Sequence, residues 1–581
     1  MVCTRVCPVL FLSLLVQYVH GVQVQLSGTV VVGSNFASQE FFGGIPFAES
    51  PIGHLRFALP VPKFDLGNLS TFNATTSGLP CIQPWTQSRI SEDCLTLNVF
   101  RPAGLTQNSS LPVMLWIYGG GFMSGSSSAS NGSALVDRSI HRGTPVIYVT
   151  FNYRLGPLGF PQGPEAAVRG ALNLGLHDQW TAFEWVQANI HAFGGDPEKV
   201  TIFGQSAGSI SLALHYLNEN FTNVARAAIF ESGSASTLPL FGPSHLLPSW
   251  LAFARGTPSC TSSLLFTENE NDRETFSCLL AATSDEILIG EEAALAYGQQ
   301  QFPFIPVIDG SEGLVPDLPS LRLRSGAGNR VPFIAGTVLD EGTSFVPTSI
   351  SSPKETHDAI VKLYTPSPSC NGNLTLDIAA GALVALYDSP DMRSPFGTGN
   401  ATFGLNAEYK RAAAIGKPML DASPAYALSC FCPPRMPVGD LWFQAQRRFW
   451  TQTASANGTR VYGYLFTEPQ PHNQPYLGVP HASELGYIYG VISASGDVEE
   501  VPIIGGALPP LSLAMMDYWL SFVDSLDPND GLGSLRPNWE AYGDDQRIMQ
   551  FQTGNTTLIR DDYRRMAIDD FINENSRLFQ Q

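Results

Sequence analysis

Gly204-Gln205-Ser206-Ala207-Gly208 is the stretch best suited to chemistry. It follows a β-branched run, Lys199 to Phe203, and precedes a helical pattern, Ala207 to Leu217. A serine between two glycines in that setting fits a nucleophile elbow, a sharp strand-to-helix turn that lifts the hydroxyl clear of a sheet edge. The glycines let backbone pass where side chains would collide. A serine hydroxyl is a poor nucleophile near neutral pH, so a base must take its proton and donors must hold the resulting oxyanion. Behind such an elbow the partners follow in the order acid, then histidine. The acid candidates are Asp340 and Glu341, in Gly336-Thr337-Val338-Leu339-Asp340-Glu341-Gly342. That order leaves His357, His472 and His481 as possible bases; His472 sits in a proline-rich tract, and His481 lies in Gly478-Val479-Pro480-His481. Gly119-Gly120-Gly121-Phe122 can present backbone N–H groups with no side chain in the way, and with the Ala207 N–H would form an oxyanion hole.

These residues need elements to position them. Apolar runs at Leu111 to Tyr118, Pro145 to Phe151 and Lys199 to Phe203 read as strands, as do Ala227 to Phe230, Val331 to Ala335 and Arg460 to Phe466. Asn173 to Phe193 has helical spacing and stops at Gly194-Gly195, while residues 243–300 read as helical excursions. Strands alternating with helices predict an α/β fold with a large, mostly parallel central sheet and helices on both faces. The acid candidates then fall just beyond a strand, and His481 some way beyond the strand Arg460 to Phe466. Length alone would permit several domains. No repeat or linker divides the chain, however, and the motifs spread from Ser206 to His481, which argues for one domain over residues 22–581.

The 581 residues include 32 Lys+Arg and 51 Asp+Glu, a formal charge of −19. A surface this acidic offers no basic face to nucleic acid. The 44% apolar content excludes a disordered chain. Met1 to Gly21 reads as a cleaved secretory signal, with Arg5 ahead of the apolar run Pro8 to Val19. No other stretch reads as transmembrane, so the expected product is secreted and extracellular. Sequons at Asn68, Asn73, Asn108, Asn131, Asn220, Asn373, Asn400, Asn457 and Asn555 suit that route. Cys81, Cys94, Cys260, Cys278, Cys370, Cys430 and Cys432 remain after the signal, and structural disulfides are the better reading. No metal or organic cofactor is expected. Oligomeric state and the pairing of Cys370, Cys430 and Cys432 stay open.

Taken together, these motifs resemble the type-B carboxylesterase/lipase family, the cholinesterase-like α/β-hydrolases, and in particular its secreted fungal members. The likeness runs through Phe42-Gly43-Gly44-Ile45-Pro46-Phe47-Ala48, Leu55-Arg56-Phe57, Ser91 to Val99, Tyr118 to Phe122, Asn152-Tyr153-Arg154, Asn173 to Gln179, Phe193 to Pro197, the elbow, and Ser394-Pro395-Phe396-Gly397-Thr398-Gly399. The resemblance implies a serine carboxylic-ester hydrolase with Ser206 as nucleophile, Glu341 as acid and His481 as base. It implies Gly120, Gly121 and Ala207 as oxyanion donors, and disulfides Cys81–Cys94 and Cys260–Cys278. Arg56 with Glu92, and Arg154 with Asp178, are implied as structural ion pairs.

Two departures shape the expected substrate. Gln205 stands where relatives commonly carry glutamate, which argues against a cationic alcohol. Twelve residues separate Cys81 from Cys94, too few for the lid that overhangs the site in lipases of the family. The expected activity is therefore on soluble or moderately apolar small-molecule esters, hydroxycinnamoyl esters among the candidates. The alternatives are a true lipase or steryl esterase on water-insoluble esters and, from another class, an inactive adhesion protein of the same fold.

Overall fold

Eleven of the strands pair into one sheet. In the computed structural model, residues 21–86, 89–261, 275–298, 302–365, 374–415, 439–492, 502–503 and 508–581 are described. Along the chain the strands are β1 (Gln23–Leu26), β2 (Thr29–Val32), β3 (Ser34–Phe36), β4 (Gln39–Pro46), β5 (Thr71–Asn73), β6 (Thr96–Pro102) and β7 (Leu111–Ile117). They continue as β8 (Ile147–Phe151), β9 (Gly195–Gln205), β10 (Ala227–Glu231), β11 (Phe333–Val338), β12 (Val461–Phe466), β13 (Arg547–Phe551) and β14 (Thr557–Arg560). The large sheet has the order β14-β13-β12-β11-β10-β9-β7-β8-β6-β4-β3, and β1, β2 and β5 form a small second sheet. From β13 through β8 every pairing is parallel; the outer pairings are antiparallel.

The parallel strands read as unbroken apolar runs because both faces are covered. All residues of β8, β10, β11 and β12 are buried. The helix Leu174–Asn189 matches the expected segment, continues as a 3-10 turn to Phe193, and ends at Gly194 with φ 85°. The helix Ala207–Tyr216 follows the elbow. Within the expected excursions at 243–300, helices run over Leu247–Gly256, Phe276–Ala281 and Ser284–Tyr297, and residues 262–274 and 299–300 lie outside the described residues. Three expected strand starts shift by more than one residue: β8 begins at Ile147 rather than Pro145, β9 at Gly195 rather than Lys199, and β11 at Phe333 rather than Val331, running to Val338. Pro332 has no N–H to give the ladder, so regular pairing starts one residue later, with the Phe333 N–H donating to the Arg460 carbonyl at 3.1 Å.

Both implied disulfides are present, Cys81–Cys94 and Cys260–Cys278, with S–S distances of 2.02 and 2.08 Å. A buried brace joins their neighbourhoods. The Arg56 guanidinium grips the Glu92 carboxylate at 2.6 and 2.8 Å and also donates to the carbonyls of Leu279 and Ala282. Ser284 Oγ–H donates to the same carboxylate at 2.6 Å. Arg154 and Asp178 form a second bidentate pair at 2.8 and 2.7 Å, also buried. Removing one partner from such a pair costs about 3–5 kcal/mol, because the other charge is left unpaired.

The sequon residues Asn68, Asn73, Asn108, Asn220, Asn400, Asn457 and Asn555 are exposed, and Asn131 is half-buried. Asn373, Cys370, Cys430, Cys432 and residues 1–20 of the expected signal lie outside the described residues. Among the described residues, no helix is long and apolar enough to cross a membrane, and no cluster of His, Cys, Asp and Glu is arranged to hold a metal ion.

Candidate active site

The site gathers at the C-terminal ends of neighbouring parallel strands, where an open α/β sheet ordinarily binds its ligands. Ser206 comes directly after β9, with φ 55° and ψ −128°, a strained backbone for a residue with a side chain. Its N–H donates to the Glu231 carbonyl on the next strand at 2.9 Å. The flanking glycines are required by space. A Cβ on Gly208 would come within 2.0 Å of the Ile117 carbonyl oxygen, and one on Gly204 within 2.8 Å of Gly208 backbone.

Glu341 follows β11 and is buried; its Oε1 accepts from the Val338 N–H at 2.9 Å. Its Oε2 meets His481 Nδ1 at 2.5 Å. That bond sets the imidazole tautomer with Nδ1 protonated, leaving Nε2 with a lone pair. The Phe345 and Phe443 rings pack on the imidazole, with centroids 5.1 and 4.8 Å away. Among the described residues, the hydrogen-bond partner of Nε2 is the Gln205 side-chain amide at 3.1 Å, not Ser206. Catalytic hydrogen bonds often tighten only once substrate arrives.

The other candidates are elsewhere. His357 packs beside Asp358 and Asp377 on the helix Pro353–Tyr364, and its partners push its pKa up. His472 is exposed in the tract before the His481 loop. Asp340 has a different task from its neighbour. Its carboxylate accepts from the Phe396 and Val479 N–H groups at 2.8 and 3.0 Å, fastening the loop that carries His481 to the 394–399 segment. Burial, partly offset by those two N–H groups, pushes the Asp340 carboxyl up to about 6.

Gly120 and Gly121 have φ 98° and 64°. A Cβ at Gly120 would strike the Ser124 carbonyl at 2.1 Å, and one at Gly121 the Phe302 ring at 2.2 Å. Glycine is therefore needed at both positions for the loop to turn under its neighbours. Ala207 opens its helix, so its N–H is among those that a helix cannot satisfy internally. The Gln83 amide pins the Cys81–Cys94 loop to this region, exchanging hydrogen bonds with the Gly125 N–H and carbonyl at 2.9 Å each.

Beside Ser206 lies a cavity of about 20 Å³ walled by Leu238, Phe302, Phe345, Trp442 and Phe443. Trp442 and Phe443 belong to a π-helical turn, Asp440–Gln444. The walls, Gln205's contact and Asp340's clamp were not legible in the sequence. The aromatic walls come from separate stretches of chain, at Phe302, at Phe345 and at Trp442-Phe443, with no spacing rule. A glutamine before an elbow serine gives no hint that it will reach a histidine 276 positions away.

The carboxylesterase family model matches residues 17–368 and 437–570. Lipase 1 of Geotrichum candidum is 32% identical over 94% of each chain, and Lipase 4 of Diutina rugosa is 33% identical over 94% of each. Acetylcholinesterase of Bungarus fasciatus is 30% identical over 84% of this chain and 75% of its own. The solved structure of Aspergillus niger EstA superposes with a TM-score of 0.75 and 26% identity, covering 96% of this chain and 99% of that one. With its large mixed sheet and the matches along nearly its whole length, the chain belongs to the carboxylesterase family and is a carboxylic ester hydrolase.

Proposed function

We propose that the chain is a secreted serine carboxylesterase that works through an acyl-enzyme with Ser206, Glu341 and His481. The observation that carries this reading is the Glu341–His481 bond at 2.5 Å, with the other imidazole nitrogen beside the elbow. His481 Nε2 takes the Ser206 proton as the hydroxyl attacks the ester carbonyl. Glu341 holds the ring and stabilises the imidazolium that forms. The Gly120, Gly121 and Ala207 N–H groups receive the oxyanion, and His481 protonates the departing alcohol. Water then repeats the cycle on the acyl-enzyme and releases the acid. In the same reading residues 1–21 are removed on export, and residues 22–581 act as one domain.

The cavity beside Ser206 is little larger than one water position and is lined mainly by apolar side chains. It suits a short acyl group, with longer chains needing its aromatic walls to move. A separate concavity of about 540 Å³ lies between Pro80–Thr86 and Ser124–Ala129, and Ser206 does not line it. The first reading, soluble or moderately apolar esters, therefore rests on the small Ser206 cavity and the short Cys81–Cys94 loop. Relatives called lipases, one of them a secreted triacylglycerol lipase of Gibberella zeae, favour a second reading in which water-insoluble esters are the substrates.

A rate panel on short-chain, long-chain, triacylglycerol, steryl and hydroxycinnamoyl esters, with Ser206→Ala as control, separates the two. The first reading expects the highest kcat/KM on short acyl groups, with no jump in rate as substrate passes its solubility limit. Such a jump would favour the second. Near-full activity in Ser206→Ala would end both.

A further inference from the structure

Two carboxyl side chains lie fully buried behind the site, and the mechanism above uses neither. Glu231 closes β10, and its backbone carbonyl already holds the Ser206 N–H. Glu484 sits three residues after His481 and starts the short helix Leu485–Ile488 as its cap. Both are 0% exposed. Each has one oxygen accounted for: Trp519 Nε1–H donates to Glu231 Oε1 at 2.7 Å, and Ser232 Oγ–H to Glu484 Oε1 at 3.3 Å. The second oxygens, Glu231 Oε2 and Glu484 Oε2, are buried with no hydrogen-bond partner among the described residues, and so is the Tyr464 hydroxyl on β12.

Glu484 is held by Ser232, the residue next to Glu231, and neither carboxyl has an arginine or lysine partner among the described residues, so the two cannot both stay ionised in such a place. Burial, and then the charge of Glu484, push Glu231 well above the ordinary carboxyl range. Burial, and then the charge of Glu341, push Glu484 up to about 7, against an opposing pull from His481. The groups that face the pair are Glu341 beyond β11, His481, Tyr464 on β12, and the hydrogen-bonded hydroxyls of Tyr148 and Tyr489. Arg447 is the cation felt at Tyr464, and it is already engaged by Asp561.

We infer that Glu231 and Glu484 form a proton-sharing pair in which the Glu231 O–H donates to Glu484, seating one negative charge behind His481 as a positioning device for the base. The pair ties together the two loops that must meet, since Glu231 anchors the Ser206 amide and Glu484 rides on the turn that carries His481. When Glu484 releases its own proton, that proton leaves the pair for solvent and Glu231 keeps its proton. The resulting anion adds to Glu341 in stabilising the imidazolium of each acyl-transfer step. This inference rests on Ser206, Glu341 and His481 acting as proposed.

The test is the pH dependence of kcat and KM, from about pH 5 to about pH 9, for the full chain on a soluble short-chain ester, comparing wild type with Glu484→Gln, Glu231→Gln and Glu231→Leu. Glutamine imitates the protonated acid, so Glu484→Gln should match wild type at the acid end. It should fall progressively behind in kcat as the pH passes about 7, reaching roughly tenfold with KM little changed. Glu231→Leu should push the Glu484 step to higher pH, and Glu231→Gln, which still offers an N–H donor, should recover most of that loss. Infrared difference spectra should show the carbonyl stretch of a protonated carboxylic acid in wild type, and its loss in Glu231→Gln. A wild-type to Glu484→Gln ratio that is flat across pH, with only the melting temperature changed, would overturn the inference. Ser206→Ala, assayed alongside, reports on the underlying reading independently: if it stays active, the triad assignment fails whatever the pair does.

Discussion

Ser206 and His481 reach the same point by unlike means. Ser206 is placed by backbone: a parallel ladder on either side of β9, a strained φ, an N–H tied to Glu231, and two glycines with no room for a Cβ. His481 lies 15 residues past the end of β12, so the sheet itself does not fix it. Side chains do so instead: Glu341 on Nδ1, Asp340 on the loop backbone, Phe345 and Phe443 on the ring. The difference teaches where damage should be sharp and where it should be graded.

The largest effect expected is from Ser206→Ala, which removes the proposed nucleophile and should lower kcat by about 10⁴- to 10⁶-fold. The thermal melt should barely move, because the backbone and not the hydroxyl holds the elbow. Next is Glu341→Gln, which offers Nδ1 the wrong hydrogen-bonding partner and should cost roughly 10³- to 10⁴-fold in kcat. Asp340→Asn, one residue away, should lower kcat by only about tenfold. It should lose about 1–3 kcal/mol of stability, since one of two buried N–H groups loses its acceptor. Equal kcat losses at 340 and 341 would erase the division of labour between them.

Asp340 also carries a pH signature. Its folded pKa of about 6 is above its ordinary value. Its contribution to stability is therefore greatest below the unfolded value and is lost as pH rises through about 6. Melts of wild type and Asp340→Asn between those limits should converge as pH increases. On the elbow side, Gly208→Ala drives a methyl into the Ile117 carbonyl and should cost about 1–3 kcal/mol, read as a drop in urea midpoint. The smallest effect is expected at Gln205. Replacing it by alanine frees His481 Nε2 for Ser206 and should change kcat by about threefold or less. A tenfold loss would make Gln205 part of what holds the base.

The same contrast explains what the sequence disclosed. The elbow was legible because its geometry demands Gly-x-Ser-x-Gly between a strand and a helix, a local rule. The strands β7 to β12 were legible because burial on two faces demands apolar runs, and the residual errors fell at Pro332 and at strand ends. Residue patterns alone did not separate Asp340 from Glu341 or choose among three histidines, because those choices are made by contacts across more than a hundred residues. The likeness to a known family supplied them, and it chose the pair that the structure brings together. The buried carboxyls at 231 and 484 had no pattern at all: each sits where an apolar residue would have seemed natural.

The brace built on Arg56 has a practical side. One guanidinium links carbonyls just beyond Cys278 to the carboxylate two residues before Cys94, so the two cystine-closed loops share a single strut. Loop closures of this size are each worth about 3 kcal/mol, but a shared strut makes their failures cooperative. In a host compartment that keeps thiols reduced, both ends of the strut slacken together, and soluble yield should collapse rather than merely decline. Recovery by moving expression to an oxidising compartment, with Arg56→Ala failing to recover there, would identify the guanidinium, as much as the sulfur chemistry, as the limit on manufacture.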